Sequence, residues 1–302
     1  MAGGGAAAGA AVTAYAVWEA RQYTLRKVDV RVLPAGAAPL RVLHVSDIHM
    51  TPGQRAKQEW LRGLAETEPD LVIDTGDNLA HRDAVPAVLD ALGPLLEVPG
   101  VFVHGSNDYF EPVLRNPLAY VLPDSGWRNT TSAQLPWGEL THGLAGAGWL
   151  DLTNRRASLD VGDLRLAFAG VDDPHLEYDD LGAVAGPADA AADLRLGVAH
   201  APYLRVLDQY AADGYDAIIA GHTHGGQVCL PRGIGVAGRT LTTNCDLEPE
   251  RARGLHRHPA ASRPGDPGSA WLHVSAGVGT NPYFRIRVAC RPEATVLTLL
   301  PR

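Results

Sequence analysis

The chain has 302 residues, 46% hydrophobic and 20% charged, a balance that excludes a disordered or fibrous protein. Its formal net charge of −8 argues against a nucleic-acid sleeve. Cys229, Cys245 and Cys290 form no CxxC pattern, which suits a reducing compartment. Cys229 and Cys245, flanking one expected loop, are the candidate pair if any disulfide forms.

Residues 1–17 carry no charged side chain, and Trp18, Arg21, Arg26 and Lys27 follow. Two readings are open. One is a disordered Gly/Ala-rich end. The other is a short membrane anchor with an interfacial Trp and a basic flank, which would hold the rest at the cytoplasmic side of the plasma membrane. No basic segment or twin-Arg signal precedes the stretch, so export is disfavoured. Without internal repeat or linker, 28–302 reads as one domain, with 1–27 set apart.

Val28 to Val32 alternates with period two, and Leu40 to Val45 runs into Asp47, so both predict strands. Gln54 to Glu66 has helical spacing. Leu71 to Thr75 is a buried-strand pattern ending at Gly76-Asp77. Asp83 to Leu96 predicts a helix with Pro86 in its first turn. Val101 to His104 is the next strand, ending at Gly105-Ser106-Asn107-Asp108. This β-α-β-α-β run demands a sheet with helices packed on it. Residues 124–165 read as short strands and loops. Leu164 to Ala169, Leu194 to Ala199, Ala217 to Ala220, Leu272 to Ala276 and Ala294 to Leu299 predict further strands. Residues 246–268, rich in Arg, Pro and Gly, read as a mobile loop.

Four polar islands sit where apolar runs end: Asp47-Ile48-His49, Gly76-Asp77-Asn78, His200, and Gly221-His222-Thr223-His224. Open sheets place ligand sites beyond the carboxyl ends of their strands, which would gather these islands. In Asp-x-His and His-x-His the two donors are i and i+2, and from a strand end they point the same way. Asp77 has two carboxylate oxygens and can bridge two ions about 4 Å apart. Two carboxylates and four histidines are enough for two metal ions. Water between such cations deprotonates near neutral pH and is suited to attack phosphorus.

The ordered combination of islands resembles the calcineurin-like metallophosphoesterase superfamily, whose motifs run D-x-H, G-D, G-N-H-D/E, H and G-H-x-H. Gly221-His-Thr-His-Gly-Gly-Gln227 with Gly170-Val-Asp-Asp173 resembles its branch of membrane-associated bacterial phosphodiesterases, which includes the UDP-diacylglucosamine pyrophosphatases. The resemblance implies a four-layer α/β/β/α sandwich and two divalent ions drawn from manganese, iron and zinc. It implies Asp47, His49 and His224 on the first ion, His200 and His222 on the second, and Asp77 bridging. The implied activity is hydrolysis of a phosphodiester or pyrophosphate bond by metal-bound hydroxide, on a small-molecule or lipid-linked substrate, with a membrane surface as a possible partner. Asp77, Asn107 and His222 are the implied catalytic residues.

One motif departs. Where the family has G-N-H-D/E, this chain has Gly105-Ser106-Asn107-Asp108. Ungapped, Ser106 replaces the metal-binding Asn and Asn107 replaces the His that protonates the leaving group. Slipped by one, Asn107 is the ligand, and its amide oxygen is the better neutral donor to a divalent ion. Either way no imidazole holds the acid position, which favours substrates whose leaving groups depart without help. His104 and His81 are the candidate substitutes. His44, His142, His175, His256, His258 and His273 read as structural, and Arg232, Arg239, Arg251, Arg253, Arg285 and Arg287 mostly as solvated charges, one or two of them possible phosphate clamps. A phosphomonoesterase, or a degenerate member that binds metal or nucleotide without turnover, is the alternative.

Overall fold

The computed structural model describes residues 2–233 and 237–302. Along the chain, α1 (Ala2–Glu19) precedes β1 (Thr24–Leu33) and β2 (Leu40–Val45). Then α2 (Arg55–Gly63) leads to β3 (Leu71–Asp74), and α3 (Val85–Leu92) to β4 (Gly100–Phe102). The one-turn α4 (Ser106–Tyr109) and α5 (Trp137–Gly146) precede β5 (Leu150–Asp151). The second half runs β6 (Arg155–Val161), β7 (Leu164–Gly170), α6 (Leu181–Val184), β8 (Leu194–Ala199), α7 (Leu204–Asp213) and β9 (Ala217–Ala220). It closes with β10 (Gly254–His258), β11 (Ala270–Val274) and β12 (Glu293–Pro301).

The strands sort into two six-stranded sheets, ordered β1-β12-β2-β3-β4-β5 and β10-β11-β9-β8-β7-β6. Within the first, β2, β3, β4 and β5 pair in parallel, while β12 runs antiparallel to β2. Within the second, β7, β8, β9 and β11 are parallel and β6 and β10 are antiparallel edges. Short runs such as Leu71-Val-Ile-Asp are buried at every residue, as expected of strands covered on both faces.

Three apolar layers separate the elements. Leu61, Val88, Leu92, Leu140 and Leu144 of α2, α3 and α5 pack on one face of the first sheet. Val42, Ile73, Val101, Phe168, Leu196 and Ile219 interleave between the sheets. Val206, Leu207 and Tyr210 of α7 cover the second sheet. Each such side chain contributes about 1.5–3 kcal/mol through burial. The architecture is the four-layer α/β/β/α sandwich.

Several expectations need correction. The 124–165 stretch contains α5, masked in sequence by its glycines and threonine but anchored by Leu140 and Leu144, an i, i+4 pair on the core. The expected mobile loop at 246–268 contains the edge strand β10, paired with β11 from Gly254 to His258. Residues 2–19 form the helix α1, and no helix among the described residues is long and apolar enough to cross a membrane. The expected boundary at residue 27 falls inside β1, which pairs with β12 from Thr24. The end of α1 is docked: Arg287 N donates to Ala16 O at 3.0 Å, and Ala289 N donates to the Glu19 carboxylate at 2.8 Å. All three cysteines are free, and Cys229 packs with Cys290, not Cys245.

Candidate metal centre

Because β2, β3 and β4 are parallel, as are β8 and β9, their carboxyl ends collect along one edge. Asp47 and His49 follow β2, Asp77 follows β3, and Asn107 lies on α4 after β4. His200 follows β8, and His222 and His224 follow β9. The loops continue the strand pairing. Asp47 N donates to Gly76 O at 2.8 Å, His49 N to Asp77 O at 2.9 Å, and Gly221 N to His200 O at 2.8 Å.

Asp47, His49, Asp77, His222 and His224 are not extended but left-handed, with φ of 52°, 45°, 57°, 69° and 49°. Each such non-glycine residue costs about 1–3 kcal/mol, so the surrounding packing must enforce them. The glycines show how closely it does. A Cβ on Gly221 would come within 1.9 Å of Ser46 Oγ, one on Gly105 within 2.3 Å of Asp77 Oδ1, and one on Gly277 (φ +69°) within 2.6 Å of Asp47 Cβ.

Two donor groups result, Asp47 with His49 and His224, and Asp47 with Asp77 and His200. Asp77 faces one histidine of each group, with Oδ2 3.5 Å from His49 Nε2 and Oδ1 3.5 Å from His200 Nε2. His49 Nε2 and His224 Nε2 stand 3.0 Å apart, and His222 Nδ1 is 3.3 Å from His200 Nε2. His200 Nδ1 lies 2.7 Å from Thr75 O, and His222 Nε2 3.2 Å from Asn244 O. A ring nitrogen bonded to a carbonyl fixes the tautomer and leaves the other lone pair free for an ion. The buried Asp47 Oδ1 has no hydrogen-bond partner. This mixed oxygen and imidazole set fits divalent cations such as manganese, iron and zinc.

The electrostatics agree with that fit. Burial raises the Asp77 carboxyl to about 7, with the neighbouring Asp47 and Asp108 charges adding to it. Burial lowers His222 to about 3, helped by His200, and drives His49 and His224 well below the ordinary imidazole range. Burial opposes charge on His200 too, but Asp77, Asp173 and Asp47 push it up to about 9. Buried carboxylates beside the unprotonated His49, His222 and His224 are what a bound cation relieves, and on His200 a cation would take the place of the proton that Asp77, Asp173 and Asp47 hold there.

Supporting residues hold the loops. Asp108 accepts four backbone N–H groups, from Asp77, Asn78, Leu79 and Gly105, at 2.8–3.1 Å. The buried Lys57 ammonium donates to Ile48 O at 2.6 Å. Arg287, expected at the surface, is fully buried and donates to Ala276 O, Gly277 O and Gly279 O, with Nη2 3.2 Å from His224 Nδ1. Arg251 is buried as well, against Glu248. From His273 a hydrogen-bonded chain runs through His44, Thr75 and Ser46 to Asp47 Oδ2, every link 2.6–3.0 Å. Of these partners only Asp108 stood in a sequence motif; Lys57 on α2, Arg287 in the loop before β12, and His44 and His273 inside strands carry no local signal of their role.

His49, Asp77, His222 and His224 open into a cleft walled by Pro112, Arg115, Tyr120, Trp127, His175 and Asn244. Ser106 and Asn107 both reach it. Asn107 stands on Asp77, its backbone N donating to Oδ1 and its Nδ2 to Oδ2, each at 2.7 Å. His104 and His81 are not in the cleft. His104 is buried against Thr141 at 2.8 Å, and His81 accepts from Asp83 N at the surface. His175, read as structural, does line it, its ring centroid 4.3 Å from that of His222.

The family model of the calcineurin-like phosphoesterases matches residues 40–226. The chain is 29% identical over 196 residues to an uncharacterized protein of Bacillus subtilis, YpbG, covering 64% of each. It is 26% identical to the uncharacterized metallophosphoesterase YkoQ of the same organism, over 85% of this chain and 82% of that one. The phosphodiesterase YaeI of Escherichia coli is 25% identical, with 87% and 83% covered. The matched model begins at β2 and ends beyond His224, so it takes in every strand-exit loop of the centre. The chain belongs to the calcineurin-like phosphoesterase family.

Proposed function

We propose that the chain is a dinuclear metal-dependent hydrolase of a phosphodiester or pyrophosphate bond. The observation that carries this is the convergence of six carboxylate and imidazole donors from strand-exit loops of both sheets, four of which, His49, Asp77, His222 and His224, line one cleft with Asp47 and His200 buried behind them. Asp47, His49 and His224 would hold one ion and His200 and His222 the other, with Asp77 facing a histidine of each set. Asn107 would add a neutral oxygen donor beside Asp77, since half a turn of its amide brings the oxygen to where Nδ2 now stands. Divalent ions there acidify water and neutralise phosphoryl charge. His200 and His222, tied to Thr75 and Asn244, orient their free nitrogens, while Arg287 keeps the His224 loop closed.

A diester or pyrophosphate is favoured over a monoester because position 107 offers no imidazole to protonate a poor leaving group. The name of YaeI agrees. A lipid-linked substrate at a membrane surface is supported by Leu114, Leu118, Leu122 and Trp127, exposed on the segment that walls the cleft. The test is turnover of bis-p-nitrophenyl phosphate against p-nitrophenyl phosphate with manganese, iron or zinc. Diester preference is expected. Monoester preference would move the reading to a phosphomonoesterase, and metal binding without turnover would make it a binding protein.

A further inference from the structure

We infer that His175 is the group that stabilises the departing oxygen in this centre, as a hydrogen-bond donor through Nε2–H. The inference rests on the hydrolytic reading above. It starts from a chain of contacts outside the ligand set. Arg128 is paired to the Asp124 carboxylate through both terminal nitrogens, at 3.0 and 2.7 Å, and its Nη2 also donates to the Tyr203 hydroxyl at 2.6 Å. A guanidinium only donates, so the hydroxyl oxygen accepts there and has its own proton to give. The acceptor in reach is His175 Nδ1, at 3.1 Å. Burial raises the Tyr203 phenol, so the proton stays on oxygen at neutral pH.

With Nδ1 accepting, the ring proton of His175 sits on Nε2. Nδ1 is the ring atom turned to Tyr203, and the residue lines the cleft, so Nε2–H is the donor left for a substrate. The ring is fixed on three sides. It packs on His222, bonds Tyr203, and its backbone N donates to Asp173 Oδ1 at 3.0 Å. A donor fixed before reaction is what charge developing on oxygen needs. None of this is visible in sequence, where the Asp124–Arg128 pair, His175 and Tyr203 lie on three separate segments.

In the step itself, a new P–O bond forms to the water oxygen while the P–O bond to the leaving alcohol breaks. The electron pair stays on the leaving oxygen, Nε2–H carries its growing charge by hydrogen bonding, and solvent supplies the proton that completes the alcohol. The proton released by the attacking water balances it. His175 needs no change of protonation state for this role.

The experiment uses the manganese-loaded full chain and a series of phenyl and alkyl phosphodiesters of graded leaving-group pKa. His175→Phe keeps a ring over His222 and removes both nitrogens. The expected result is a loss of about 10²-fold in kcat/KM for alkyl leaving groups and only a few-fold for p-nitrophenol, with metal content unchanged. Tyr203→Phe, which releases the tautomer, should give the same slope change in smaller measure. A uniform loss across the series would place His175 on a non-bridging oxygen and overturn the inference. Loss of metal from His175→Phe would also overturn it, by making the ring a support for His222. If the unmodified chain turns over no diester in the series, the hydrolytic reading fails first, and His175 with it.

Discussion

Asp77 stands between the histidines of the two donor groups, which share Asp47. Its oxygens each face a histidine of a different set at 3.5 Å, and Asn107 braces both. Asp77→Ala should cut turnover by on the order of 10³-fold, the scale of losing a primary electrostatic group, and reduce bound metal to one ion or none. Elemental analysis decides it: two ions per chain at near-normal rate would remove Asp77 from the bridging position. Asn107→His makes the complementary case. An imidazolium at 107 transfers a proton outright, which neutral His175 does not. Activity on alkyl diesters should rise about 10-fold or more, and on p-nitrophenyl esters less. Equal gains on both would mean that leaving-group protonation is not what limits this site. The residues of the donor groups were legible in sequence because each follows an apolar run. Their left-handed backbones, and the partners Lys57 and Arg287, were not. Those depend on contacts between segments as far apart as His224 and Arg287, which no local pattern records.

At the level of elements, strand existence was readable from short apolar runs, while boundaries and pairing partners were not. Helix α5 was missed because its sequence, WGELTHGLAG, has weak helix formers, and tertiary packing overrides that weakness. Helix α1 was read only as an anchor or a loose end. Its last turn instead holds the 285–291 loop, through Ala16 O and the Glu19 carboxylate, and that loop carries Arg287 to the back of His224. Truncation therefore has two different outcomes. Removing residues 2–15 should leave metal content and hydrolysis of a soluble ester unchanged, and fractionation of this variant tests membrane attachment by itself. Removing residues 2–19 also deletes two hydrogen bonds, one of them to a carboxylate. We expect a loss of about 2–4 kcal/mol, seen as a fall in Tm on the order of 5 °C or more, and weaker metal retention. Identical melting of both truncations would show that the α1 dock carries no load.

For the molecule as a whole, the decisive fact is where the ligands come from. Asp47, His49, Asp77 and Asn107 leave the first sheet, and His200, His222 and His224 leave the second, with the intersheet core lying below them. An ion gripping both sets is a crosslink across the seam, formed only in the folded chain. Binding then adds RT ln(1 + [L]/Kd) to stability, about 2.7 kcal/mol at free metal 100-fold above Kd. Stripping metal with a chelator should lower Tm, and manganese should restore it in proportion to the logarithm of its free concentration. A Tm indifferent to metal would mean that the two sheets hold together without it. If the proposed ions bind there, the donors' division between the sheets makes metal supply a determinant of the protein's abundance as well as its rate. In a metal-starved cell the seam would open more often, proteases would reach the exposed sheet faces, and the protein level should fall while its gene is still being read, which immunoblotting with and without a chelator checks.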